Sequence, residues 1–321
     1  MGFKLSSRNI VTDSSALSSN GSGTTSVYGR VVDIILDESH PQYSYKGGSI
    51  ALNGVFYKPI NSNASEKVPS ALPFAFQGGV HFKTVPLVGE VVKIESLPTP
   101  SDRDFTGKTR STYTAILNIF NSTNSNCYPD TVNNIDIDIT QGGKFKELGD
   151  INPIASSPGD VEINGRQGQS IRFTGGKSPS NPWIASDNVG LPLTLISNGQ
   201  KETDNGFVSI GEDVNEDASS IVLASNHLIP LTQASTKRLA WDEEPTLAKE
   251  FKGNQIIING GRLYFNAKEH DIQLSSIKSI GLNTQGTINL DSTSYMCFDG
   301  PQIYLGEKAR TASNQRKEPV M

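Results

Sequence analysis

An aliphatic pair recurs every eight residues near the end of this chain, and that period limits the fold more than any other feature. Ile272 and Leu274, Ile280 and Leu282, and Ile288 and Leu290 share the pattern Ile-x-Leu; Ile303 and Leu305 repeat it after an insertion around 295–301. Alternation inside each pair is the period-two signature of a strand with one buried face. Ser275, Ser276, Asn283, Gly286, Asp291 and Ser292 lie between the pairs and are the small or polar residues that break strands. Two aliphatic side chains cannot offset the conformational entropy of ordering each such unit, even with ladder hydrogen bonds added. A single chain winding at this period also has no room for a core. The repeat therefore needs partner chains, and identical chains wound round one axis supply them most simply. The expectation is an intertwined triple-stranded β-helix, a homotrimer, with those Ile and Leu residues as its trimer core. Gln273, Lys278, Asn283, Thr287 and Asn289 would face outward.

The rest of the chain fits a mainly β protein. Of 321 residues only 35% are hydrophobic and 7% aromatic, low for a self-contained globular enzyme, while 30 Gly and 17 Pro imply many turns. A formal net charge of −5 offers no general basic surface, so no specific nucleic-acid partner is expected. Cys127 and Cys297 lie far apart and belong to no metal-spaced cluster, which suits synthesis in a reducing compartment. No run approaches the ~20 apolar residues of a membrane span. The first residues lack the apolar core of a signal peptide; Gly2 and Ser6 match the loose myristoylation pattern, but a free arm is the simpler reading.

Residues 1–25 read as a flexible arm rich in Ser, Gly and Thr. From 26 to 140 the pattern is that of a small closed barrel, an OB-type barrel foremost and a sandwich its rival. Its expected strands are 27–36, 49–57, 71–76, 90–96 and 111–120. Phe74, Phe76 and Phe82, near His81 and Lys83, could form a strand-binding face. Filling the barrel is the better reading, because Asp33, Asp37, Glu38 and Glu90 compete with any basic groove. Asp136 and Asp138 share one face of an alternating stretch at 135–139 and lack the further oxygen ligands of a calcium site. Residues 141–158 look like a linker, and 159–253 like a β-rich connector that starts the rod. It carries an irregular helix or coil insert at 235–250 bearing Trp241. The octad needle occupies 254–321.

The connector also carries a resemblance. The run G-D-V-E-I-N-G-R-Q-G-Q-S-I-R-F from Gly159 to Phe173 is followed by Asn181-Pro182 and by Leu195-Ile-Ser-Asn-Gly-Gln200. Then come Asp217-Ala-Ser-Ser-Ile-Val-Leu223-Ala-Ser-Asn226 and 253–284. In this order the segments resemble the central spike (baseplate hub) proteins of contractile-tailed bacteriophages, closest to those of cyanophage-like myoviruses, over most of the chain from about Val27. The resemblance implies a virion protein of the tail baseplate. Its N-terminal OB-type barrel would dock on a hub protein at the end of the tail tube. Its C-terminal trimeric needle would pass transiently through the host outer membrane, with a PAAR-type tip protein as a candidate cap. Some members carry a lysozyme domain between barrel and needle, but the interval between Phe120 and Gly159 is too short for one. Some short spikes bind iron through closely spaced histidines, whereas the last histidine here is His270 and no His-x-His occurs.

Other chemistry fits the sequence less well. No G-x-S-x-G elbow is present, and Thr174-Gly-Gly-Lys177-Ser178 imitates a P-loop end but has Ile171 where the first Gly belongs. His40, His81, His227 and His270 are scattered. A single-chain β-helix enzyme degrading polysaccharide could use Glu269 with Asp271 or Asp213 with Glu216 as paired acids, but its coils need about 20 residues each to enclose a core. A trimeric tail fibre with receptor-binding function is the remaining alternative, disfavoured by the barrel-first order. No catalytic residue, cofactor or metal is expected.

Overall fold

The computed structural model describes residues 26–60, 72–79, 81–98, 109–118, 151–176, 189–203, 208–236, 241, 243–303 and 305. Those through Asn118 fall in one compact unit and those from Ile151 in another. The arm at 1–25, the alternating stretch at 135–139, Cys127, Asn181-Pro182 and the tail after 305 lie outside the described residues.

The first unit is a closed barrel of five strands, in the order β1-β2-β3-β5-β4. They are β1 (Ser26–Ile34), β2 (Val55–Pro59), β3 (Phe74–Gln77), β4 (Val91–Pro98) and β5 (Thr109–Leu117). β1 pairs antiparallel with both β2 and β4, β4 pairs antiparallel with β5, and a parallel pairing of β3 with β5 completes the ring. Register shifts between Val31 and Asp33 and between Lys93 and Ile94 mark irregularities in β1 and β4, which help so few strands to curl shut. Inward-pointing Val31, Val55, Tyr57, Ala75, Val92, Ile94 and Tyr113 pack the interior. Gly29 leaves room for the Tyr57 ring against β1; a Cβ there would overlap it. Burial pushes the Tyr113 phenol up to about 12, and its hydroxyl donates to the Asn53 carbonyl at 2.9 Å.

Three expectations change here. The strand expected at 49–57 begins only at Val55, because two short 3-10 turns, Ser44–Lys46 and Gly48–Ala51, occupy its first half. Gly47 and Gly48 adopt φ of 108° and 67°, so the chain reverses instead of extending. Phe74 and Phe76 pack beside Ile35, Ala51, Phe56 and Leu72, but Phe82 is 79% exposed and fills nothing. Glu90, expected on the surface, is buried; its carboxylate accepts from the Leu87 N–H at 2.7 Å and pins the turn before β4.

The second unit is built on a five-stranded antiparallel meander, in the order β10-β9-β8-β7-β6. Its strands are β6 (Val161–Asn164), β7 (Ser170–Thr174), β8 (Leu193–Asn198), β9 (Ser219–Ser225) and β10 (Asn254–Gly260). On one face Leu193, Leu195, Val222, Ala224 and Ile257 pack with Val214 and Ile229 from the connecting loops. Residues 151–158, expected as linker, pack into this unit. The Ala155 N–H donates to the Ile210 carbonyl at 2.7 Å, and buried Asn152 donates to Thr203 Oγ1 at 2.9 Å and accepts from Val208 N–H at 3.1 Å. Among the described residues of 235–250 no helix forms. No helix of the described residues is long and apolar enough to cross a membrane.

Candidate functional site

Strand pleating sends alternate side chains to opposite faces, so a sheet with one face on its own core should show polar residues on the other. This meander breaks that rule in its two central rows. Its registers align Ile163, Ile171, Ile196, Ile221 and Ile258 in one row across all five strands. A second row on the same face runs Val161, Phe173, Thr194, Leu223 and Ile256. Ile171 and Thr194 are half-buried and the other eight are exposed, from 36% at Ile221 to 69% at Ile256, so the described residues leave most of this face open. A contiguous apolar surface of this kind marks an interaction site in a soluble protein.

The opposite face shows how firmly the sheet is oriented. Arg172, in the same strand as Ile171 and Phe173, is fully buried and pairs with Asp160 at 3.2 Å and bidentately with Glu212. Its guanidinium also donates to the Ala155 carbonyl at 3.3 Å. Burial pushes the Glu212 carboxyl up, ahead of the opposing pull of Arg172. Asp217 accepts from the Ser197 hydroxyl at 2.7 Å and the Asp213 N–H at 3.0 Å, and burial pushes its carboxyl up as well. These contacts tie the loops to one face and leave the isoleucine rows on the other.

Beyond Gly260 the apolar surface continues. The residues expected to form the trimer core are exposed in the single chain: Ile272 56%, Leu274 69%, Ile280 54%, Leu282 64%, Ile288 53%, Leu290 56%, Ile303 40% and Leu305 69%. Between Gly261 and Pro301 the described residues form no strand and make no backbone-to-backbone hydrogen bond. Each unmade hydrogen bond leaves a donor or acceptor that must find water or another chain. One chain thus does not bring these residues together into a core.

One octad has company. Lys278 Nζ lies 2.6 Å from Glu243 Oε2 and holds that exposed carboxyl below its ordinary value. Trp241 Nε1 donates to Asn283 Oδ1 at 3.3 Å, and Gln285 Nε2 donates to the Ala234 carbonyl at 2.7 Å. Lys278 and Asn283, expected to face only water, therefore face the insert.

The remaining candidates lie apart. Glu269 and Asp271 are exposed in the extended segment; Asp213 pairs with Lys201 at 3.5 Å, and Glu216 lies in the neighbouring turn. His40 lies 3.1 Å from Asp33 and stacks on Phe56, His227 is buried against the Leu191 carbonyl, and His81 and His270 are exposed. Among the described residues no group of His, Cys, Asp and Glu could hold a metal. Sequence reasoning found the octads but missed the sheet face. Its signal lay in continuous runs such as Ile221-Val-Leu223 and Ile256-Ile-Ile258, which are those of strands covered on both sides. Comparison with known proteins adds nothing to this geometry: no family model, curated protein or solved structure matches the chain.

Proposed function

We propose that this chain is a structural virion protein, the central cell-puncturing spike of a contractile phage tail baseplate, acting as a homotrimer. The observation that carries the reading is that one chain leaves two apolar sets exposed, the isoleucine rows of the sheet and the Ile and Leu residues of the octads that follow it. Three copies placed round an axis would turn their isoleucine rows inward and then wind their octads into a triple-stranded β-helix. Each copy's unpaired backbone would find its partner in the next copy, as an intertwined rod requires.

A needle driven through an envelope needs stiffness and an outer surface that lipid does not hold. A shared aliphatic core supplies the first, and outward Gln273, Thr287 and Asn289 suit the second. The barrel's strand order, with β3 parallel to β5, supports the OB-type reading and hence a docking role at the tail-tube hub. Binding then belongs to the first unit and penetration to the second. A PAAR-type tip would cap the needle's far end, and the host outer membrane is met only in transit. The chain acts by shape and rigidity, with neither a catalytic centre nor a cofactor.

Deleting 254–321 tests the division of labour. The truncated protein should still bind the hub, and particles carrying it should fail to penetrate cells. If the truncated chain does not bind the hub while an isolated 254–321 assembly does, the assigned polarity is reversed.

A further inference from the structure

An octad repeat has a weakness that its own core cannot correct. A chain displaced by one repeat presents the same Ile-x-Leu pattern to its neighbours, so the apolar core discriminates poorly between registers. Resting on the trimeric-rod reading above, we propose that Trp241, with Ala234 and Glu243, is a register clamp. These three residues seat on one octad alone and thereby set the height at which the three chains meet.

The contacts form a short antiparallel set. Ala234 meets Gln285, Trp241 meets Asn283 and Gly281, and Glu243 meets Lys278, so the three meet the needle segment in reverse order across about one repeat. Its centre is a notch. The residue between Ile and Leu is Gln273 in the first octad, Gly281 in the second and Asn289 in the third. Only the glycine leaves room for the indole, because a Cβ at 281 would overlap Trp241 Cζ2. Displacing the needle by one octad brings Gln273 or Asn289 under the ring, and neither can accept it. The same displacement gives Glu243 either His270 or Gly286 in place of Lys278, and gives the Ala234 carbonyl either Ile277 or Thr293 in place of Gln285. The notch is lost in both directions.

A contact within one chain can set the register between chains. The insert joins β9 to β10, so it is anchored to the sheet whose isoleucine rows meet at the axis. Fixing each octad relative to its own sheet fixes all three at one height once the sheets are related by three-fold symmetry. The needle core needs no polar residue to specify alignment, since that information sits on its outside.

The test uses the full chain with Cys127→Ser, Cys297→Ser and a spin label introduced by Ser276→Cys, an exposed position outside the contact set. Native mass spectrometry reports the assembly, and spin–spin distances report register. Trimers of otherwise unaltered sequence should give one distance. Trp241→Ala and Gly281→Gln trimers should add a second, longer distance, and Trp241→Phe, which keeps a ring in the notch, should restore the single one. Trp241→Ala removes a ring from the outside only, so it decides the matter if Gly281→Gln fails to assemble. Trp241→Ala trimers with the single unaltered distance overturn the clamp while leaving the rod intact. An unaltered chain that is monomeric overturns the rod reading, and the clamp with it.

Discussion

Two neighbours in β8 should fail in opposite ways when altered. Leu195 is 1% exposed and belongs to the core that the second unit makes for itself, while Ile196 is 37% exposed on the uncovered face. Leu195→Ala leaves a cavity in a packed interior and should lower the stability of each chain by about 2–5 kcal/mol. Ile196→Ala removes little from the single chain. If its open surface is covered on assembly, the lost burial is about 1 kcal/mol per chain, since a whole buried isoleucine contributes about 1.5–3 kcal/mol. Three copies make this about 3 kcal/mol per trimer, which weakens association about a hundredfold at roughly 1.4 kcal/mol per factor of ten. Ile196→Asp is harsher, because it would gather three carboxylates at one height on the axis, where unpaired charge is costly to bury. Sedimentation across a concentration series reads association, and thermal unfolding followed by circular dichroism reads the fold. An Ile196→Asp protein that remains trimeric with unchanged affinity would refute the placement of this face at the axis. So would an Ile196→Ala protein whose association is unaltered.

Two further outcomes concern the units singly. Tyr113→Phe removes the hydroxyl that donates to the Asn53 carbonyl and should lower barrel stability by about 0.5–1.5 kcal/mol, read by chemical denaturation. In ultraviolet titration it should also abolish the tyrosine signal that appears only near pH 12, because burial favours the neutral phenol in the fold. Glu212 is likewise raised by burial, so the folded chain holds its proton more tightly than the unfolded chain. Its contribution to stability is complete below the ordinary carboxylate range and is lost as pH climbs through the raised value. Glu212→Gln should therefore flatten the fall in melting temperature over that interval, and an unchanged slope would contradict the burial argument.

The octads stand out in the sequence because their period is short, repeated and made of one residue pair, but the single chain builds neither strand nor core from them. The barrel was legible as a set of alternating runs, but its second strand was misplaced at the start. Gly47 and Gly48 sit before Ser49-Ile-Ala51, and their positive φ turns the chain so that Ala51 packs with Phe56 while Ile50 stays exposed. Glu90 looked like a surface acid because a sequence cannot show the turn whose Leu87 N–H it satisfies. The sheet face was hidden for a different reason. Ile163, Ile171, Ile196, Ile221 and Ile258 are spread over 95 positions of chain, and only the strand registers bring them into one row. Trp241 and Gly281 were hidden in the same way, each unremarkable until folding places one on the other.

Amide hydrogen exchange across 261–301 tests the shared-core account most directly. Among the described residues these backbone groups have no main-chain partner within one chain, so the account assigns lasting protection there to other chains. The account predicts slow exchange from Ile272 through Leu290 at concentrations where the protein assembles, and loss of that protection in an Ile280→Asp, Leu282→Asp double variant. Exchange as fast as in an unfolded peptide throughout that segment, in the unaltered protein at the same concentration, would contradict it.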